Sequence, residues 1–215
     1  MQRRKRSFFS TYTSILIVAN IAVFLIINFI SLILKKSFIP FIALMPSNIL
    51  SGKYLWTIIA SMFMHAGVWH LFANMVSLSF IGGFVEKLIG KKRFIALYFA
   101  GGIFASLIFI AISAVTGIDF NVYAVGASGA IFALGGLLAV LTPKLPVMVF
   151  FLLPLPMWAA MIFLMFGLWA LSLGLGLPIG NTAHLGGLLI GVAYGFYLRK
   201  KYPNKTRMIS RYFSK

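Results

Sequence analysis

The run SILIVANIAVFLIINFISLIL, from Ser14 to Leu34, holds no charged residue over its 21 positions. A helix rises about 1.5 Å per residue, so this run covers the ~30 Å hydrocarbon core of a bilayer. Arg3, Arg4, Lys5 and Arg6 precede it, and Lys35 and Lys36 follow it. A secretory signal also starts basic, but its apolar region is shorter and ends at a small-residue cleavage site. The run reads as a first transmembrane helix.

The rest of the chain has the same character. Of 215 residues, 61% are hydrophobic and the mean hydropathy is +1.02. Ordinary soluble domains are about half apolar. The chain therefore reads as an all-α polytopic membrane protein, one domain of six transmembrane helices with a short fourth helix. The net charge of +17 invites a nucleic-acid reading. The positive charges cluster at the ends of apolar segments, so membrane lipids are the expected partner and nucleic acid is not. With no cysteine there is no disulfide, thiolate nucleophile or cysteine metal site.

Residues 37–67 form a connector too apolar for a solvated loop, with Pro40, Pro46, Gly52 and Trp56, and they fit an interfacial or partly embedded excursion. A second helix is expected over 68–85, followed by a charged hairpin with Glu86, Lys87, Lys91, Lys92 and Arg93. The third helix covers 94–115, with Gly101, Gly102, Ala105 and Ser106 for close packing. The fourth covers 128–142. Pro143, Pro146, Pro154 and Pro156 argue against one regular helix over 143–155. The fifth covers 156–173, ended by Gly174, Gly176, Pro178 and Gly180, and the sixth 182–198. A basic arm, 1–13, and a basic tail, 199–215, flank this domain. The tail is expected to lie along anionic headgroups.

Six helices put both termini on one side. The arm, the 86–93 hairpin, Lys144 and the tail hold 16 of the 19 Lys and Arg, against Lys35, Lys36 and Lys53 on the other side. Basic loops stay cytoplasmic. The termini are thus expected in the cytoplasm, the membrane being a plasma (inner) membrane. Helices two, four and six then all begin at the outer face.

Those three beginnings carry the polar residues. Helix two has His65 just before it and His70 and Asn74 spaced i, i+4; helix four opens in Val125-Gly126-Ala127-Ser128-Gly129-Ala130; helix six has His184. These are all the histidines of the chain. Serine becomes a nucleophile when an imidazole takes its proton, which requires the two helices to approach closely. Gly187, Gly191 and Gly195 below His184, and Gly129, Ala133 and Gly136 below Ser128, provide facing small-residue stripes. Of the two acids, Glu86 lies at the opposite end and is expected to pair with nearby lysines. Asp119 lies in an outer loop with nothing to place it beside His184. A Ser128–His184 dyad is the expectation. His70, Asn74 and the N–H groups at the start of helix four are candidate donors to an oxyanion.

Taken together, His65-x4-His70-x3-Asn74, Gly126-Ala127-Ser128-Gly129 and Ala183-His184-x2-Gly187-x3-Gly191 resemble the motifs of the rhomboid intramembrane serine proteases, in the same order and spacing. The resemblance covers about residues 14–198 and is to the minimal six-helix form. It implies that Ser128 is the nucleophile and His184 the general base, with His70, Asn74 and the Ser128 N–H as the oxyanion hole. His65 would be supporting. It further implies a transmembrane segment of another protein as substrate, admitted beside helix five, and no cofactor or metal. Two positions depart from the family pattern. Trp56 is followed by Thr57 where arginine is common, and Phe132 stands where many members place a tyrosine against the histidine ring.

Other readings are a non-catalytic rhomboid-like protein that binds membrane clients, a zinc site and a transporter. Zinc held by His65, His70 and His184 would lack a nearby carboxylate base, and a five-residue spacing suits one helix face poorly. Ion-coupled transport often relies on paired intramembrane charges, which are missing from the sequence.

Overall fold

The computed structural model describes residues 11–175 and 180–213. The expected arginines and lysine of the N-terminal arm, and Gly176 and Pro178, lie outside the described residues.

Helix α1 spans Tyr12–Leu34. Its opening N–H groups have no partner within the helix and must find one elsewhere. Thr11 accepts from Ser14 N at 3.1 Å through its hydroxyl. Glu86 accepts from Tyr12 N and Thr13 N, both at 2.9 Å, and from the Thr13 hydroxyl at 2.7 Å. The carboxylate thus caps a helix that is 73 residues away in sequence, and its charge matches the positive end of the helix dipole. Lys91 acts on the same carboxylate electrostatically, in line with the expected lysine partner, and three short donors from α1 add to it. The start of α1 is thereby fixed to the end of the second long helix.

The connector folds as short turns of helix, α2 (Ile39–Ile42), α3 (Pro46–Leu50) and α4 (Thr57–Ala60), the last running into a 3-10 turn at Ser61–Phe63. A single bridge ties it to the loop before Ser128: Leu44 and Ala124 exchange backbone bonds of 3.0 and 2.7 Å.

Helix α5 (Val68–Ser77) continues through a π turn, Leu78–Gly82, into α6 (Gly83–Ile89). The helix therefore outruns its expected end at 85, and it stops at Gly90, whose φ of +85° suits glycine. Helix α7 (Lys91–Thr116) begins three residues before its expected start because long basic side chains at its first turn reach the interface. Helix α8 (Ser128–Leu141) is the centre of the bundle, with 12 of its 14 residues buried. Helix α9 (Met157–Leu175) buries only Met157, Ala160, Met161 and Met165, all in the half far from Ser128. Helix α10 (Asn181–Lys201) ends with Arg199, Lys200 and Lys201, favourable at the negative end of the dipole.

Two features depart from the all-α expectation and the plain tail. Residues 146–156 form an antiparallel hairpin, β1 (Pro146–Val149) and β2 (Leu153–Pro156), in which Val147 pairs with Leu155. Proline breaks helix but is tolerated on a two-stranded ribbon where its missing N–H faces outward. Within the tail, α11 (Pro203–Tyr212) starts with Pro203, whose fixed φ suits a first helical position.

Among the described residues, four helices are long and apolar enough to cross a membrane: Tyr12–Leu34, Val68–Ile89, Lys91–Thr116 and Met157–Leu175. Helix α8 is shorter. The outer faces of α1 and α9 expose Leu25, Phe29, Leu32, Phe163 and Phe166, a density of bare apolar surface that a monomer in water rarely shows. The protein is a mostly helical integral membrane protein.

Glu86→Ala removes the acceptor for two backbone N–H groups and one hydroxyl at a buried site, which should cost about 2–3 kcal/mol. Unfolding in mixed micelles should show this loss, with Glu86→Gln recovering part of it. An unchanged midpoint for Glu86→Ala would refute the capping account.

Candidate active site

Helices α5, α8 and α10 all begin at the same end of the bundle, and the polar residues meet there. Ser128 is the first residue of α8. Gly126 precedes it with φ +121°, a conformation that side chains disfavour. The Gly126 N–H donates to Ser61 O at 2.9 Å, so the connector holds the turn from below.

Ser128 Oγ and His184 Nε2 lie 2.8 Å apart. The backbone contact of α8 with α10 makes this possible. A Cβ at Gly187 would strike the carbonyl of Gly129, and one at Gly191 the carbonyl of Ala133. In return, a Cβ at Gly136 would come within 2.5 Å of Leu188 O. The two helices touch main chain to main chain over more than two turns, directly beneath Ser128 and His184. Gly129 also meets Ala105 of α7 closely, its own Cβ position being 2.6 Å from that methyl.

The His184 ring is buried and stacks on Phe132, with centroids 4.6 Å apart and planes 16° from parallel. Phe132 lies one turn below Ser128 on α8, so the stack sets the ring plane while the serine meets its edge. His184 Nδ1 is buried with no hydrogen-bond partner among the described residues. Asp119 sits at a left-handed turn, φ +57°, and contributes no bond to that nitrogen.

His70 overhangs the Gly126 turn. A Cβ at Gly126 would lie 2.8 Å from His70 Cε1 and 2.9 Å from Nε2, with Ser128 Oγ 3.7 Å away. The backbone N–H of Ala66 donates to His70 Nδ1 at 3.4 Å, a long bond. It assigns the ring proton to Nε2, on the side of Gly126 and Ser128. Asn74 is buried, and its amide donates one of its two N–H groups to His70 O at 2.9 Å. His65 is buried edge-on to His70, ring centroids 5.1 Å apart. Burial, and next the neighbouring His70, push the His65 imidazole down to about 4, which keeps it neutral.

Sequence reasoning does not reach three contributors. They are the Ser61 carbonyl, the Ala66 N–H and the Leu44–Ala124 bridge, all main-chain groups of an apolar connector without a motif. The connector's own anchoring is also visible. Trp56 Nε1 donates to Phe41 O at 2.8 Å, Tyr54 packs edge-on between Phe41 and Trp56, and the buried Thr57 hydroxyl donates to Tyr54 O. These bonds stand where arginine was the common family residue.

The Rhomboid domain profile matches residues 52–201, most of the chain. The chain belongs to the rhomboid family. It is 33% identical over 147 residues to the mitochondrial Rhomboid protein 1 of Saccharomyces cerevisiae, covering 67% of this chain and 42% of that protein. It is 36% identical over 157 residues to RHOMBOID-like protein 1 of Arabidopsis thaliana, covering 72% and 37% respectively. It also matches a protein named Inactive RHOMBOID-like protein 8 from the same plant, 42% identical over 53 residues, a quarter of this chain and 15% of that one. The chain spans about two fifths of the length of the first two relatives. This rhomboid chain begins its family match after α1, so the matched part holds the site and its supporting glycines.

Gly191→Ala should drive α8 from α10, because the clash is with backbone that no rotamer change relieves; overpacking of this kind costs 1–3 kcal/mol or more. Gly83→Ala, with open space around its Cβ position, should be neutral or slightly stabilising. Equal thermal midpoints for the two variants in detergent would contradict the close-packing account.

Proposed function

We propose that this rhomboid is an intramembrane serine endopeptidase that hydrolyses peptide bonds in or near transmembrane segments of other membrane proteins. The 2.8 Å approach of Ser128 Oγ to His184 Nε2 is the observation that supports it most. In this reading neutral His184 accepts the hydroxyl proton at Nε2 as Oγ attacks the scissile carbonyl carbon. The carbonyl oxygen takes the electron pair and sits against His70 Nε2–H, the Ser128 backbone N–H and the second N–H of Asn74. Gly126 has no side chain to occupy that space. Collapse of the intermediate breaks the C–N bond, and the departing amine takes the proton from His184. Water then gives a proton to His184 as its oxygen attacks the acyl carbon, and His184 returns that proton to Ser128 Oγ as the ester C–O bond breaks and the acid leaves.

A dyad is the economical form of the site. No carboxylate among the described residues bonds His184 Nδ1, and stacking on Phe132 would orient the ring instead. We further infer six membrane crossings, with the short α8 and the more polar α10 completing the four long spans inside the bundle. The charge distribution then puts both termini in the cytoplasm and Ser128 toward the outer side of a plasma membrane. Residues 14–198 would be the membrane domain, with basic segments at either end. Helix α9 buries no described residue beyond Met165 on its way to the site end. That half can part from α8 and admit a transmembrane substrate sideways.

Labelling of the detergent-purified protein with a fluorescent fluorophosphonate tests the dyad. Wild type should label, and Ser128→Ala and His184→Ala should not; label on Ser128→Ala would sink the assignment. On a transmembrane reporter substrate, His70→Ala and Asn74→Ala should each lower kcat by about 10²–10³, as loss of an oxyanion donor does. Folded protein that neither labels nor cleaves any reporter would favour a client-binding rhomboid, a reading that the match to an inactive relative keeps in view.

A further inference from the structure

At the opposite end from Ser128, the last turn of α8, the last turn of α10 and the tail helix α11 enclose a cavity of about 240 Å³. Arg199, Arg207 and Arg211 line it, with Thr206 beside them and Val140 and Leu141 on its apolar side. We propose that this cavity is a binding site for a phosphate-bearing anion, supplied by the headgroup of an anionic membrane lipid.

Three observations carry the assignment. The first is charge without a counter-charge. Like charges at i, i+4 destabilise a helix, yet Arg207 and Arg211 share one face of α11 and turn toward the same space as Arg199. The chain has only two acids to offset them. Glu86 is taken up by the start of α1, and Asp119 lies in the loop before Ser128, at the other end of the bundle. Neither acidic side chain of the chain supplies the counter-ion for this cluster.

The second is residue choice. Every arginine after residue 198 lines the cavity, whereas Lys200, Lys201 and Lys205 do not. Lysine would serve a diffuse attraction to a charged surface equally well. A planar guanidinium pairs with phosphate oxygens through two parallel N–H bonds, so selective placement of arginine points to a specific phosphate group.

The third is the shape and position of the cavity. It is smaller than the ~300–1,000 Å³ pockets that enclose drug-sized ligands, and its wall passes from guanidinium to the aliphatic Val140 and Leu141. A lipid headgroup presents the same sequence, phosphate first and glycerol and acyl chain next. The cavity lies at the ends of α8 and α10, beside Val140, Leu141 and Arg199. Basic pockets of this kind between membrane helices hold anionic headgroups. Arg207 and Arg211 lie on α11, beyond residue 201 where the family match ends, whereas Arg199, Val140 and Leu141 lie within it. The site does not depend on the hydrolytic reading of Ser128.

Native mass spectrometry of the full chain, released from detergent with added phosphatidylglycerol or phosphatidylcholine, tests the proposal. Wild type should retain phosphatidylglycerol in preference to phosphatidylcholine. Each arginine near the surface contributes roughly a five-fold factor, so Arg199→Gln, Arg207→Gln and Arg211→Gln together should weaken retention about 100-fold. Lys200→Gln, Lys201→Gln and Lys205→Gln remove the same charge and should leave it nearly unchanged. Equal weakening by the two triple variants, or equal retention of both lipids by wild type, would overturn the site. If the arginine triple variant does not fold, Arg207→Gln alone should still weaken retention about five-fold. A parallel arm adds glycerol 3-phosphate or inorganic phosphate and follows the thermal midpoint. Displacement of the lipid by either at millimolar concentration would overturn the lipid source in favour of a soluble phosphate.

Discussion

The structure depends on two helix backbones being allowed to touch. Helices in a bilayer gain little by hiding apolar side chains from lipid, so their association rests on close van der Waals packing. Gly187 sits on the Gly129 carbonyl and Gly191 on the Ala133 carbonyl, and Gly136 faces Leu188 in return. A single methyl at these places would push α8 and α10 apart. Serine and histidine side chains are short, and a hydrogen bond fails beyond about 3.5 Å. A helix separation set by larger residues would leave Ser128 and His184 out of reach of one another whatever their depth.

Such a pair would be of little use if α8 could slide. Burial prevents this: α8 has almost no surface of its own, being enclosed by α7, α9, α10 and the connector. The perimeter is secured by different means. Glu86 locks the start of α1 to the end of α6, and the Leu44–Ala124 bridge locks the connector to the turn before Ser128. Helix α9 is tied at its start, where Met157 N–H donates to Leu145 O and Trp158 N–H to Pro143 O, and it buries no described residue past Met165. A firm centre beside a less buried flank is what the proposed sideways admission of a transmembrane substrate would require.

Much of this was legible in the sequence because a membrane simplifies the reading. Uncharged runs give helices, and the alternation of their ends brings His70, Ser128 and His184 to one end of the bundle. The facing stripes of Gly187 and Gly191 with Gly129 and Ala133 likewise follow from four-residue spacing. What escaped has a common physical cause. The hairpin at 146–156 is written in prolines that exclude a helix without specifying an alternative. Main-chain partners such as Ser61 O and Ala66 N leave no mark on residue type. Glu86 was readable as a structural acid, but its partners, the N–H groups of Tyr12 and Thr13, belong to a helix whose apolar stretch begins only at Ser14. The expected boundaries at 85, 94 and 198 fell short because charged residues can occupy the end turns of a membrane helix and still reach water.

The absence of a third acid at His184 has a physical rationale in the same packing. An aspartate beside the ring would stabilise the imidazolium, but it would also bring a second charge into a setting where each one is costly. This chain carries two acids in all; Glu86 caps the start of α1, and Asp119 makes no hydrogen bond to His184. Ring orientation, the other task of a triad's acid, is met by Phe132 at 4.6 Å, a contact that asks for no charge and buries apolar surface. Phenylalanine in place of tyrosine keeps that face and gives up a hydroxyl, which matters little to stacking. In the proposed hydrolytic reading, the positive charge on His184 during proton transfer would be offset by the oxyanion that forms with it across the same serine, so the pair would carry no net charge at any step.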